Sequence, residues 1–328
     1  MAKAVREHLI KALAAGDFVS GQEMGEQLGI SRTAISAHIK ALTNIGLDIF
    51  SVTGKGYKLA QPLFLLDKKK ILALISKESN TDILPEVEVH TLIDSTNDYL
   101  MRRLPNQLMQ GQVCLAEYQS AGRGRRGRQW ISPFGSQIYL SMYWYLEEGL
   151  SGAMGLSLLS ALAVSDAVRA ISGIQVQLKW PNDIYIDGVK LAGILIDLEG
   201  QALEPSHSVI GIGLNLDMPA EAAAKIDQRW TDLQSHSETD LDRNDLSAKL
   251  ISCLHSRLAQ YRSEGLVSML DEWNQYDIYL NKQVKLLTGE RVTKGICKGI
   301  NNQGALLLEV DGQVKAIYGG EVSLRGDE

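Results

Sequence analysis

Hydrophobic and polar positions along the chain fall into three textures. Near the front the spacing is helical: Met24 and Leu28 stand four apart, Gly29 interrupts, and Ser31 is placed to cap a second helix with an inward face of Ile35, Ile39 and Leu42. The opposite face, Thr33, Ser36, Ala37, Lys40 and Asn44 with Arg32 at its start, is small and polar, which suits a major groove. Two short strands then surround a Gly-Lys-Gly tip, as in the wing of a winged helix with Lys55 near phosphate. Helix, glycine, helix alone describes a small helical cap equally well; the wing favours DNA binding.

From about 67 to 277 the pattern alternates. Strands are predicted at 87–93, 112–119, 137–144, 176–179, 190–198 and 209–216, with helices at 156–171, 246–261 and 266–276. Asp187-Gly188 is a two-residue turn signal for an antiparallel pair, so a mixed sheet is expected. Beyond 278, short β-rich runs separated by turns, including Asp311-Gly312, predict a small SH3-like β-barrel. The expected class is α+β in three domains: a winged helix-turn-helix at 1–62, a central mixed-sheet domain at 67–277 and the barrel at 278–328.

Composition narrows this picture. The longest apolar stretch, 156–164, is broken by Ser157 and Ser160, well short of the roughly 20 residues of a membrane span. No signal-peptide core precedes Arg6, Glu7 and Lys11. Cys114, Cys253 and Cys297 are scattered, as reduced core thiols of a cytoplasmic protein would be, and no His or Cys spacing suggests a protein metal site. Net charge is −6, yet residues 1–60 hold seven Lys/Arg against five Asp/Glu, so nucleic-acid binding is expected at the front only.

Four stretches carry candidate chemistry. In 117–130, arginines 123, 125, 126 and 128 alternate with glycines 122, 124 and 127 directly after a strand. Glycine allows close backbone approach and arginine brings fork-shaped donors for anions. Charge this dense predicts a loop that is mobile until an anion neutralises it; the bland alternative is an RNA-binding Arg-Gly segment in a solvated loop. Lys179-Trp-Pro-Asn-Asp183 ends a strand at the mouth of the sheet, although a lone lysine there commonly just reaches water. Asp94-Ser-Thr-Asn-Asp98 fits a capping box with Ser95 as cap, and also sets hydroxyl and amide groups at a helix start. Gly211-Ile-Gly-Leu-Asn215 lacks the third glycine of a dinucleotide fingerprint and reads as a strand passing close beneath a ligand.

Together, in order, with Lys190-Leu-Ala-Gly-Ile-Leu195 and a terminal Gly-Gly-Glu-Val-Ser-Leu-Arg325, these motifs resemble the bacterial biotin–protein ligases, and the winged helix in front resembles the bifunctional ligase/biotin-operon repressors. The resemblance implies that biotin and ATP, with Mg²⁺, form biotinyl-5′-AMP, which acylates a lysine of biotin carboxyl carrier protein. It also implies repression of the biotin operon by a homodimer carrying the adenylate. Lys179 would lie beside the biotin carboxylate and α-phosphate, with Arg125 as its catalytic companion. Ser95, Thr96, Asn97, Gln119, Arg123, Gly124, Arg125 and Lys179 would bind biotin. Arg125, Arg126, Lys179, Asn182, Asn215, Trp230, Glu321 and Arg325 would contact the nucleotide. The metal would be held largely by phosphates and water. A non-catalytic metabolite-sensing transcription factor and a lipoate–protein ligase are the rival readings.

Overall fold

The computed structural model describes residues 2–78, 84–147, 149, 153, 155–201, 204–319 and 322–326. The head comprises α1 (Ala2–Ala14), α2 (Gly21–Leu28), α3 (Arg32–Thr43) and a hairpin of β1 (Ile49–Val52) and β2 (Gly56–Leu59). Ser20 and Ser31 cap α2 and α3, each accepting from the backbone N–H three residues on. Gly29 ends α2 in the left-handed conformation, so the chain turns sharply into α3. Leu9, Ile10, Leu13, Ile35 and Leu42 are fully buried between the helices. This core continues into the next domain, because Leu92, Phe134 and Tyr118 pack in it.

After α4 (Lys68–Glu78) come β3 (Val87–His90), α5 (Thr96–Met101), β4 (Val113–Ala116), β5 (Gln137–Leu146), α6 (Leu156–Ser172), β6 (Gln177–Lys179), β7 (Asp183–Ile186), β8 (Val189–Glu199), β9 (Ser206–Asn215), α7 (Ala220–Ala223), α8 (Arg243–Glu264) and α9 (Leu270–Tyr276). The strands form one seven-stranded sheet, β3-β4-β5-β9-β8-β7-β6. Only β3 and β4 pair in parallel, so the sheet is mixed, and Asp187-Gly188 turns the antiparallel β7–β8 pair as expected. α6 and α8 pack together, and Leu158, Leu159, Leu162, Leu250 and Leu254 join the buried core. The helix expected over 266–276 is divided, a 3₁₀ turn at Leu266–Met269 preceding α9.

The last segment holds β10 (Gln283–Thr288), β11 (Arg291–Ile300), β12 (Leu306–Val310), β13 (Gln313–Ile317) and β14 (Val322–Gly326) in a five-stranded antiparallel sheet, β13-β12-β11-β10-β14. Asp311-Gly312 turns β12 into β13. Among the described residues no pairing joins the outer strands β13 and β14.

A buried ion pair of the central domain anchors the segment that follows the head. Glu117 and Arg243 are 2% and 7% exposed and 2.5 Å apart; Glu117 also accepts from the Leu66 N–H of the interdomain segment. Arg243 donates further to the Gln137 carbonyl, and Asn244 receives the Asp67 N–H. Both charges are thus paired and hydrogen-bonded, the condition under which burial is tolerated.

Candidate functional site

Two joined chambers open at the sheet face bearing α5, β8 and β9. The inner one is lined by Ser95, Thr96, Asn97, Gln119, the Arg-Gly loop, Trp130 and Asn182. The outer one is lined by Arg128, Asn215, Gln228, Trp230, Tyr279 and Arg325. Lys179, Asp183 and Lys190 border both.

The inner end is neutral and densely hydrogen-bonded. Ser95 caps α5, accepting from the Asp98 N–H, but the reciprocal half of the expected capping box is absent: the Ser95 N–H donates to Asp94. Asp98 is drawn instead to Arg123. Thr96 donates its N–H and hydroxyl to Gln119 Oε1, at 2.9 and 3.1 Å. The Ser141 hydroxyl lies 2.7 Å from Thr96 Oγ1 and 2.5 Å from Asn97 Oδ1, and Asn97 donates to Asp197 at 2.8 Å. Ser95, Thr96 and Asn97 are all buried. The floor has no side chains: a Cβ on Gly211 would stand 2.2 Å from Asn97 Oδ1, and one on Gly213 would stand 2.4 Å from the Trp130 ring. Gly193, opposite Gly213 across the β8–β9 ladder, leaves room for Trp130 and Lys190. The Trp130 indole donates to Gln137 at 2.8 Å.

The Arg-Gly loop is less self-repelling than its composition implies. Arg123 bridges Asp98 and Asp197, each at 2.6 Å. Burial alone would lower its pKa, but these carboxylates outweigh that and raise it. Counter-charge for this arginine is therefore supplied by the protein itself. Arg125 donates to Asn182 Oδ1 at 2.7 Å, and Asn182 donates to the Ile194 carbonyl; burial pulls the Arg125 pKa down. Arg126 takes a left-handed conformation, φ 60°, and with Gly124 lines the inner chamber.

Lys179 donates to Tyr185 OH at 3.0 Å, and its ammonium lies over the Tyr185 and Tyr279 rings. Burial lowers its pKa; Asp183 opposes this, while Lys190, Arg325 and Arg128 add to it. Lys190 pairs with Asp183 at 2.7 Å and stands over the Trp130 ring. Two lysines thus face one carboxylate, leaving positive potential at the junction of the chambers. Asn215, the last residue of β9, is buried and donates to the Thr231 carbonyl, holding the segment that carries Trp230 against the outer chamber. Arg325 is exposed there; Glu321 lies outside the described residues.

Asp197 and Ser141 belong to this site without having been singled out by sequence, whereas Asp183, Trp130 and Lys190 stood in quoted motifs but were given no role. A signal existed for Asp197, a lone acid in an apolar strand, and for Trp130, which follows the Arg-Gly run; Ser141 gave none. On the head, Arg32, Thr33, Ser36, Ala37 and Lys40 of α3 and Lys55 of the wing are all exposed on the surface.

A winged head, a glycine-floored cavity joining neutral donors to clustered cations, and a small C-terminal sheet define a biotin protein ligase of the bifunctional kind. The chain belongs to this family. Residues 89–215 match the biotin/lipoate A/B protein ligase family, 5–58 an HTH domain and 279–325 the biotin protein ligase C-terminal domain. It is 46% identical over 320 residues to the bifunctional ligase/repressor BirA of Escherichia coli (strain K12), covering 98% of this chain and 97% of that protein. Similarity to the biotin–[acetyl-CoA-carboxylase] ligase of Mycobacterium tuberculosis is 32% identity, over 72% of this chain and 88% of that one. The biotin protein ligase of Aquifex aeolicus, solved in complex with biotin and ATP, superimposes with a TM-score of 0.62 at 29% identity, covering 74% of this chain and 99% of that chain.

Proposed function

We propose that the chain joins biotin to ATP as biotinyl-5′-AMP with release of pyrophosphate, transfers the biotinyl group to a lysine of biotin carboxyl carrier protein, and represses the biotin operon with the adenylate as co-repressor. The observation that carries this reading is the division of the cavity. Its neutral inner end, with Ser95, Thr96, Asn97 and Gln119, suits a ureido head, and its cationic junction suits a carboxylate meeting a phosphate. Bringing two anions together is opposed by about 4 kcal/mol per charge pair at 4 Å and an effective dielectric near 20, so fixed cations there lower the barrier. We assign that task to Lys179 and Lys190 jointly, with Arg125 helping to hold the adenylate, and Arg123 to shaping the biotin end through Asp98 and Asp197. Gly124 and Arg126 close the inner chamber, and Asn182, Asn215, Trp230 and Arg325 face the nucleotide; Glu321 is assigned to the nucleotide by its motif alone. Asp183 and Asp227 are the carboxylates among the described lining residues, a sparse set that fits Mg²⁺ held mainly by phosphates and water.

Arg32, Thr33, Ser36, Ala37, Lys40 and Lys55 form the DNA face, used by a homodimer that the adenylate promotes. β8 supports this: it extends to Glu199, beyond its last pairing with β7, and offers an edge to a second copy. The C-terminal sheet is read as an SH3-like barrel left open between its outer strands. Cytoplasmic residence accords with three free cysteines and with the absence, among the described residues, of a helix long and apolar enough to cross a membrane. Pyrophosphate release on adding biotin and ATP tests the first step. Its absence favours a ligand-sensing repressor without catalysis, and equal turnover of lipoate favours the lipoate ligases. Sedimentation with biotinyl-5′-AMP tests the dimer, and a protein that stays monomeric at saturation refutes it.

A further inference from the structure

One face of the wing serves neither the ligase chemistry nor the recognition helix. Phe18, Phe50 and Val52 are 38%, 41% and 37% exposed there. The two phenyl rings meet edge to face at 6.1 Å, and Phe50 pairs across the hairpin with Lys58. Lys55 Nζ and Lys58 Nζ lie 5.6 and 5.5 Å from the centroid of the same ring, Phe18. Phe18 comes from the α1–α2 connection, yet it is fixed to the wing. Its neighbour Val19 exchanges both backbone hydrogen bonds with Tyr57, at 2.8 and 2.9 Å. Gly56 makes this possible, since its φ is +104° and a Cβ there would stand 2.2 Å from the Val19 carbonyl.

Among the described residues no carboxylate comes within ion-pair distance of Lys55 or Lys58. A ring differs from a carboxylate as a partner in that it orients an ammonium without cancelling its charge and leaves N–H groups for another acceptor. We propose that Phe18 is a positioning residue for DNA binding. Its ring gathers Lys55 and Lys58 so that both reach the phosphate backbone of a duplex, with Phe50 and Val52 against the sugars. The ordering of two long side chains is then largely complete before DNA arrives. Charge complementarity selects DNA as occupant of this face: the head is net positive in an otherwise acidic chain. The inference rests on the DNA-binding reading of the head.

The test uses the full chain with biotin and MgATP, and a duplex that the native protein selects from a random pool, followed by fluorescence anisotropy across salt concentrations. Phe18→Leu, which keeps an apolar side chain but removes the ring, is expected to weaken binding about tenfold, the size appropriate to two exposed ring–ammonium contacts. Phe18→Tyr is expected to restore it, with biotin ligation unchanged in both. In a Lys55→Ala/Lys58→Ala background Phe18→Leu is expected to do nothing more. Native affinity in Phe18→Leu, an additive loss in the lysine-free background, or equal losses in the Tyr and Leu variants overturns the proposal. So does an effect confined to the mass of the protein dimer, which would make this face a contact between heads. Native affinity in the double lysine variant fails separately, striking the wing's role in DNA binding itself.

Discussion

Gly213→Ala separates activity from stability. Gly213 has no left-handed backbone conformation, so alanine is tolerated by the main chain and even reduces the entropy of the unfolded state. The obstacle is Trp130: the new methyl would stand 2.4 Å from its ring, and ordinary contact begins at 3.4 Å, so the indole must retreat by about 1 Å. Retreat strains or breaks its 2.8 Å hydrogen bond to Gln137 and moves the ring over which Lys190 stands. A misplacement of this size costs about a hundredfold in rate, or roughly 2.7 kcal/mol of transition-state stabilisation. Pyrophosphate release from biotin and ATP is therefore expected to fall about a hundredfold, with a melting temperature near the native value. Adding Trp130→Ala to this variant is expected to lower the rate little further. A single variant within threefold of the native rate, or one that loses activity only by unfolding, refutes the steric argument.

Arg243→Met leaves Glu117 buried and uncompensated, and is expected to cost about 3–5 kcal/mol in denaturant titration. Replacing Glu117 by Leu as well should recover part of this, less the cost of the unpaired Leu66 N–H; a larger loss in the double variant contradicts the pairing argument. For Lys179, burial places its folded pKa below the usual lysine value, so the proton it needs as a cation is lost early as pH rises. The alkaline limb of adenylate formation should lie below the ordinary lysine range and vanish in Lys179→Met; a limb that vanishes only in Lys190→Met transfers the assignment. Because the unfolded state holds this proton more tightly, stability should rise with pH between the folded and unfolded pKa values. Removal of residues 1–62 should abolish duplex binding and retain some ligation, but uncover Leu92 and Phe134; a truncation as soluble and stable as the full chain contradicts a shared core.

Much of this architecture is legible in periodicity and turn chemistry. The capped helices of the head, the Asp187-Gly188 and Asp311-Gly312 hairpins and the long α6 follow from local rules that tertiary contacts do not override. The site is legible where glycine and arginine cluster, because that combination has few other uses. Asp197 and Ser141 escape such reading: they reach Arg123, Asn97 and Thr96 only because the β5-β9-β8 order brings distant segments side by side. The same holds for Glu117 and Arg243, separated by more than a hundred positions, and for Leu92 and Phe134, whose place in the core of the head makes the domain boundary at 62 less independent than composition suggests. The split of the 266–276 helix is a local matter of chain geometry, Met269 ending the 3₁₀ turn and leading into α9, and i, i+4 spacing does not register it.

The bare floor at Gly193, Gly211 and Gly213 has a consequence for redesign of the cavity. A residue without a side chain is already at its smallest, so every substitution on the floor makes the chamber smaller, by at least a methyl directed at Asn97, Trp130 or Lys190. Mutation from below can narrow the range of acceptable carboxylic acids but never widen it. Room for a bulkier analogue must come from the walls, at Thr96 or Gln119, where each truncation also removes a member of the hydrogen-bonded set. Breadth and orientation are therefore opposed in this pocket: a variant that admits larger acids should hold each of them less firmly in register with the cations.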